Sequence, residues 1–422
     1  MHKFFALLDK YLIPVMTKLS EQRHLRAVRD GIISTIPLII VGSFFLILAF
    51  PPFPALAAAI KPYTGQILIP FRLTMGLMAL YACHSIGYHL AKSYKLDGVS
   101  GGILAMAAFL LTSVPVTYPD KGMALLMENL GGGSMFVAII MAIFAVEVLR
   151  FAKTRKLTIK MPDGVPESVA KSFEALIPAA VIIPAVWFVR DFIGFDIHHF
   201  VLELFQPLVL AGNTLAGILV PIVIITLLWA TGIHGDSVVG SVARPVWLVL
   251  LDQNIAAAAA GQPIPNIAPE PFFQWFVWIG GSGASLGLVL IMLFSKAPYL
   301  KSMSRVTFLP GICNINEPVI FGVPIMLNPL LFLPFLLSPV AIAILTYFVM
   351  DIGLVNKPYI LVPWTLPAPV GAYLATGGDW RAIVLVFVNI IIAAALYYPF
   401  LRAYERKLSR EGMAGELEEE LK

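Results

Sequence analysis

Residues 308–329 read FLPGICNINEPVIFGVPIMLNP, an apolar run broken by Pro310, Gly311, Pro318, Gly322 and Pro324 and carrying one carboxylate, Glu317. The run belongs to a chain of 422 residues, 59% hydrophobic and only 13% charged, with 29 Lys+Arg and 25 Asp+Glu. A soluble domain holds about 25% charged residues, so an ordinary soluble enzyme and a disordered chain are excluded. The formal net charge of +4 is small and scattered, which excludes a basic groove for nucleic acid. Two cysteines, Cys83 and Cys313, supply neither a disulfide framework nor a CxxC metal site. The chain reads as an all-α polytopic membrane protein. At membrane depth, non-helical backbone is tolerated only inside protein or along a wet cavity. A second interrupted stretch, GIHGDSVVGSVARPVWLVLLDQNIAAAAAGQPIP at 232–265, carries His234, Asp236, Arg244 and Asp252. A pair of such segments points to a transport site built from helix ends and hairpin tips. Both lie in the C-terminal half, where the substrate is expected to bind.

A bilayer span needs about 20 mostly apolar residues. Stretches 30–50, 71–91, 98–118, 131–152, 173–192, 212–234, 274–295, 330–350 and 380–402 qualify. Segment 358–376 holds Pro358, Pro363, Pro367 and Pro369 and counts as a broken further span, giving about ten in all. Residues 1–29 lack the long apolar region of a cleaved signal. Phe4, Leu8, Tyr11, Leu12 and Val15 form one helical face there, which predicts a short interfacial helix bent at Pro14. Lys and Arg are retained on the cytoplasmic side. They crowd 1–29, the polar linker 153–172 and the tail beyond 402, so both termini and the linker are expected in the cytoplasm. The basic loop 296–305 falls outside if 235–265 dips in and returns; if 235–265 crosses, the loop is inside and the tail needs a further re-entrant segment to return. The linker suggests a division into an N-terminal half, 30–192, and a C-terminal half, 193–402, with 195–210 lying along the interface and 403–422 a solvated tail.

Glu317 is the sharpest candidate. A carboxylate among Ile315, Val319, Ile320 and Phe321 is costly in a membrane and defaults to function, and Pro318 places it at a turn. His234, between Gly232 and Gly235, can donate to or accept from a ligand hydroxyl. Trp229 and Trp364 adjoin the interrupted segments and are candidates to stack on a sugar face. Trp247, Trp275, Trp278 and Trp380 read as interfacial belt residues. Asn314 and Asn316 flank the carboxylate and could donate to a polyol or cap the hairpin. His84 and His89 read as packing residues or partners in interhelical hydrogen bonds, and His198 and His199 as interfacial. The GGGS at 131–134 reads as a helix start. No GxxxxGK[ST] loop is present, so direct use of ATP is not expected, and neither a metal nor another cofactor is anticipated.

With those residues in place, the chain resembles enzyme IIC, the membrane component of the bacterial phosphoenolpyruvate-dependent sugar phosphotransferase system, in its lactose, cellobiose and diacetylchitobiose branch. The resemblance runs over essentially the whole chain. It is strongest at SEQRHLRAVRDGIISTIPLIIVGSFFLIL (20–48), ATGIHGDSVVG (230–240) and GICNINEPVIFGVPIMLNP (311–329). It implies a homodimer in the cytoplasmic membrane, joined through the N-terminal half. The C-terminal sugar-binding half would carry two re-entrant hairpins, near 235–265 and 306–329, and shift like an elevator. It implies that Glu317 and His234 are catalytic, beside the hydroxyl to be phosphorylated, and that they bind the disaccharide together with Trp229, Trp364 and Asn316. The donor would be the phosphocysteine of a separate IIB, charged by IIA, because neither Cys83 nor Cys313 suits that role and no polar extension marks a fused donor domain. Nucleic acid is not an expected partner. A proton-coupled sugar transporter, with Glu317 and His234 as a relay, is the competing expectation.

Overall fold

The computed structural model describes residues 18, 21–49, 51, 54–113, 115–119, 122–159, 161–162, 165–166, 172–323, 325 and 328–420. The interfacial helix expected over Phe4–Val15, and its bend at Pro14, lie outside them. Among the described residues the one sheet is a hairpin of β1 (Val116–Tyr118) and β2 (Gly122–Ala124), paired antiparallel with Thr117 opposite Met123. Every other element is helical.

A first group of helices comprises α1 (Arg23–Ile33), α2 (Ile36–Ala49), α3 (Pro54–Ile60), α4 (Thr64–Thr74), α5 (Met78–Ser93), α6 (Gly98–Leu110) and α7 (Met135–Thr154). Small residues let α5 and α6 approach almost to backbone contact. A Cβ on Gly87 would stand 2.6 Å from Ala105 Cβ and 2.7 Å from the Gly101 carbonyl oxygen. Close approach through small residues is how helices gain packing where lipid removes the hydrophobic drive. Asp97 starts α6 by accepting from the Ser100 N–H at 2.8 Å.

After the linker, α8 (Leu176–Trp187) continues through a wide turn at 188–192 and meets α9 (Ile197–Gly212) at 87°. Then come α10 (Leu215–Ala230), α11 (Gly235–Ala259), α12 (Leu286–Met292), α13 (Pro298–Ile312), α14 (Glu317–Gly322), α15 (Pro329–Asp351), α16 (Ala368–Ala375) and α17 (Trp380–Glu420). Helix α17 packs on α12, α15 and α16, and α10 packs on α15 and α11. Helix α11 also reaches α1 and the 132–134 turn, so it touches both groups.

Among the described residues, five helical stretches are long and apolar enough to cross a membrane: 23–46, 58–93, 132–154, 330–351 and 380–408; the bent pair 176–192 and 197–212 makes a sixth if it is one span. The segments expected at 98–118 and 212–234 are shorter apolar helices, Gly98–Leu110 and Leu215–Trp229. Two expectations about continuity reverse. The stretch 235–265 is not broken in its first 25 residues, because α11 runs through Pro245 to Ala259. Its polar residues find protein partners instead of an unwound backbone: Arg244 pairs with Glu270 at 2.9 Å, and Asp252 accepts from the Gly133 N–H at 3.0 Å. The segment 274–295, by contrast, is not one helix. Gly280, Gly281 and Gly283 hold positive φ between a turn ending at Val277 and the start of α12. Such conformations come readily only to glycine.

His198 is corrected as well. It is 5% exposed inside the protein, sharing hydrogen bonds with Thr112 Oγ1 at 2.7 Å and Ser134 Oγ at 3.1 Å, which tie α9 to the first group. His89 meets Ser34, at the end of α1, at 3.2 Å, the interhelical hydrogen bond expected of it. The GGGS segment is a turn leading into α7, and the Asp252 carboxylate occupies its amides.

Ahead of α17, Asp379 accepts from the Asn356 N–H at 2.8 Å and from Arg381 Nε and Nη2 at 2.8 and 3.0 Å, pinning the 355–360 segment to the helix start. Burial alone would raise this carboxyl, but the Arg381 and backbone hydrogen bonds outweigh it and hold it below the usual carboxylate range. A depressed folded-state pKa stabilises above the unfolded value of about 3.9 and is lost as pH falls through the folded value. Thermal unfolding in detergent is therefore expected to lose midpoint as pH drops below 4, and Asp379→Asn to lower the midpoint at pH 7 while flattening that acid limb. An unchanged acid limb in Asp379→Asn would remove this clasp from the account.

Candidate functional site

The site begins where α10 ends. Gly232 at φ +87° turns the chain after Ala230, and His234 becomes the N-cap of α11. Its Nδ1 accepts from the Ser237 backbone N–H at 3.3 Å and lies 3.0 Å from Ser237 Oγ. A backbone N–H can only donate, so the neutral ring carries its proton on Nε2. Asp236, in the first turn, accepts from Trp229 Nε1 at 2.8 Å and from the Ser282 hydroxyl. The Trp229 and His234 rings lie 4.5 Å apart at 47°. Trp229 is buried, so its ring is a fixed wall.

The opposite side is the hairpin of α13 and α14. Asn314 takes φ +61° at its tip, a conformation asparagine tolerates better than most residues. Its Oδ1 accepts from the Gly280 N–H at 3.0 Å, and its Nδ2 donates to the Trp364 and Leu366 carbonyls at 2.9 and 3.0 Å. One side chain thus joins the hairpin tip, the glycine loop and the strap that carries Trp364. Asn316 donates to the Ser282 carbonyl at 2.9 Å, so the amide expected to meet substrate is engaged with that loop. Glu317 opens α14 with Pro318 behind it, and its carboxylate lies 3.9 Å from His234 Nε2. Both side chains are about half exposed, 47% and 49%.

These groups line a cavity of about 300 Å³ that includes Trp229, His234, Asn314, Asn316, Glu317 and Trp364, all singled out from the sequence. The structure adds Asp236, Arg244, Glu270, Gln274 and Ser282 to the polar wall, and Trp247 and Trp278 to the aromatic one. The belt reading fails for three tryptophans. Trp247 and Trp278 are 6% and 7% exposed on the cavity wall, and Trp275 is fully buried against Gly371. Trp380 is exposed, at 66%. Trp278 could have been flagged by its place two residues before the glycine loop; Trp247 gave no signal. Among the described residues no group of three His, Cys, Asp or Glu could hold a metal ion.

A gap of 3.9 Å is too long for a direct hydrogen bond and suits an oxygen bridging both groups at about 2.8 Å. A hydroxyl there would accept from His234 Nε2–H and donate to Glu317. Aromatic walls with a few convergent polar groups are what a polyhydroxylated ring requires.

Fold and cavity together define a helical membrane permease. The chain belongs to the family described as phosphotransferase system, EIIC, which matches residues 29–339. It is 40% identical to the cellobiose-specific EIIC component of Geobacillus stearothermophilus, over 98% of this chain and 97% of that protein. Identity is also 40% with the lichenan permease IIC component of Bacillus subtilis (strain 168), over 97% and 96%. The fold matches the crystal structure of ChbC, the IIC component from the N,N'-diacetylchitobiose-specific phosphotransferase system, with a TM-score of 0.91 at 39% identity, covering 96% of this chain and 99% of that one.

Proposed function

We propose that this permease carries a β-linked disaccharide into the cell and presents its 6-hydroxyl, between His234 and Glu317, to the phosphocysteine of a separate IIB protein. The 3.9 Å spacing of those two groups carries the reading. The cellobiose, lichenan and diacetylchitobiose specificities in the relatives' names support the substrate class. In the transfer, the sugar O6 forms a bond to phosphorus, the S–P bond of the phosphocysteine breaks, and the thiolate leaves on IIB. The hydroxyl proton passes to Glu317. Phosphoryl transfer needs positioning and charge management more than covalent help from the protein, which suits a site of one base and one hydrogen-bond donor. Trp229 and Trp364 would cover the sugar faces.

Both termini face the cytoplasm in this reading, and the protein works as a homodimer joined through its N-terminal half. The C-terminal half, with the 298–322 hairpin dipping into the membrane, shifts against that scaffold. Purified protein in liposomes tests the function, with radiolabelled cellobiose outside and phosphorylated IIB inside. Sugar phosphate should accumulate only with the donor and be insensitive to a proton ionophore. Ionophore-sensitive accumulation of free sugar without the donor would replace this reading with proton-coupled transport.

A further inference from the structure

Beside the sugar cavity, and sharing Ile33, His234, Asp236, Gly240 and Arg244 with its wall, lies an annex of about 200 Å³ completed by Arg29, Ile32 and Ser237. The two spaces differ in charge. The sugar cavity faces three carboxylates, Asp236, Glu270 and Glu317, and one guanidinium. The annex faces two guanidiniums and one carboxylate, and that carboxylate, Asp236, already accepts from Trp229 and Ser282. A neutral sugar has no need of two guanidiniums, here each also paired with a carboxylate, Arg29 with Asp30 and Arg244 with Glu270.

Arg244 lines both spaces. One terminal nitrogen binds Glu270 at 2.9 Å, while its Nε is enclosed by protein with no hydrogen-bond partner among the described residues. Arg29 is held by Asp30, whose Oδ1 lies 2.8 Å from Nη2 and 2.9 Å from Nε, and it lines the annex. A Cβ on Gly240 would touch nothing within 4 Å, so the annex floor is open at that backbone. Two planar guanidiniums are suited to the oxygens of a phosphoryl group, which carries about −1.5 to −2 charges at neutral pH.

We propose that this annex is a phosphoryl subsite: it receives the phosphoryl group as it reaches the sugar and holds the 6-phosphate of the product, with Arg29 and Arg244 as its ligands. The inference rests on the disaccharide reading above. His234 stands on the shared wall, so an oxygen between His234 and Glu317 has the carboxylate base on one side and the cationic annex on the other. Arg29 sits on α1 and Arg244 on α11, so the subsite is complete only while those two helices are in contact.

The test is equilibrium binding to the full-length protein in detergent, comparing cellobiose with its 6-phosphate. The unmodified protein should bind the phosphate ester with an affinity that falls as salt rises. Arg29→Gln should weaken the ester about tenfold and leave cellobiose within about twofold, with Arg29→Lys intermediate. Asp30→Asn frees Arg29 and should tighten the ester about twofold, a change opposite in sign to any loss of fold. Equal losses for both ligands in Arg29→Gln, or an ester affinity untouched by Arg29→Gln and Asp30→Asn alike, would overturn the subsite. If the unmodified protein bound none of cellobiose, lactose and N,N'-diacetylchitobiose, the disaccharide reading would fall, and the subsite with it.

Discussion

Glu317→Gln is expected to bind cellobiose within about threefold of the unmodified protein and to form sugar phosphate about 100- to 10,000-fold more slowly. The amide keeps the size and planarity of the carboxylate and still hydrogen-bonds a hydroxyl, so ground-state binding persists. It cannot take the hydroxyl proton, and the oxygen must then attack phosphorus while still protonated. The half-exposed carboxylate, 3.9 Å from His234 Nε2, makes the substitution sterically quiet. Single-turnover transfer from labelled IIB, measured beside equilibrium sugar binding, separates the two effects. Normal phosphorylation by Glu317→Gln would remove the carboxylate from the chemistry. His234→Ala should differ by weakening both binding and transfer, because the Nε2–H donor serves the ground state too.

Replacement of Asn314 by alanine is expected to have the second large effect, a loss of sugar affinity of about 100-fold accompanied by a lower thermal midpoint. The side chain makes three hydrogen bonds, to the Gly280 N–H and the Trp364 and Leu366 carbonyls. Losing it strands a buried N–H in the glycine loop, at about 1–3 kcal/mol. It also places alanine at φ +61°, which costs about 1–2 kcal/mol. The Trp364 strap and the hairpin tip would then no longer be held in register. Asn316→Ala removes a single bond to the Ser282 carbonyl and should cost much less. If both variants bound cellobiose equally well, the cavity would not depend on this junction. Gly281→Ala gives an independent check on the same loop, since a Cβ there would stand 2.5 Å from Asn316 Cγ and φ is +94°.

Much of the site was legible because polarity is conspicuous in an apolar chain. Glu317, His234, Trp229 and Trp364 stood out beside prolines and glycines, and the fold gathers them around one cavity. Asn316 was legible as a neighbour of the carboxylate, but not as a residue whose amide is engaged with the 280–283 loop. That loop passed for part of a span at 274–295, because averaged hydropathy does not register three residues at positive φ. The opposite error occurred at 235–265, where Asp236, Arg244 and Asp252 suggested a broken backbone and instead sit on an intact helix. A charge in an apolar run signals that a partner exists, not whether the backbone or a distant side chain provides it.

The sequence by itself determined that this is a helical membrane protein, and its motifs pointed to the phosphotransferase permease family. Composition fixes the solvent a chain requires, and local patterns fix which residues cannot be bystanders. Only the tertiary structure decided which helices are broken, that Trp247 and Trp278 face the cavity, and that Arg29 from α1 and Arg244 from α11 line one annex. Those outcomes depend on bringing together residues far apart in the chain, 215 positions for Arg29 and Arg244. No local propensity encodes such a pairing. Partners for buried polar groups are chosen when the whole core closes, and here that choice shapes the cavity.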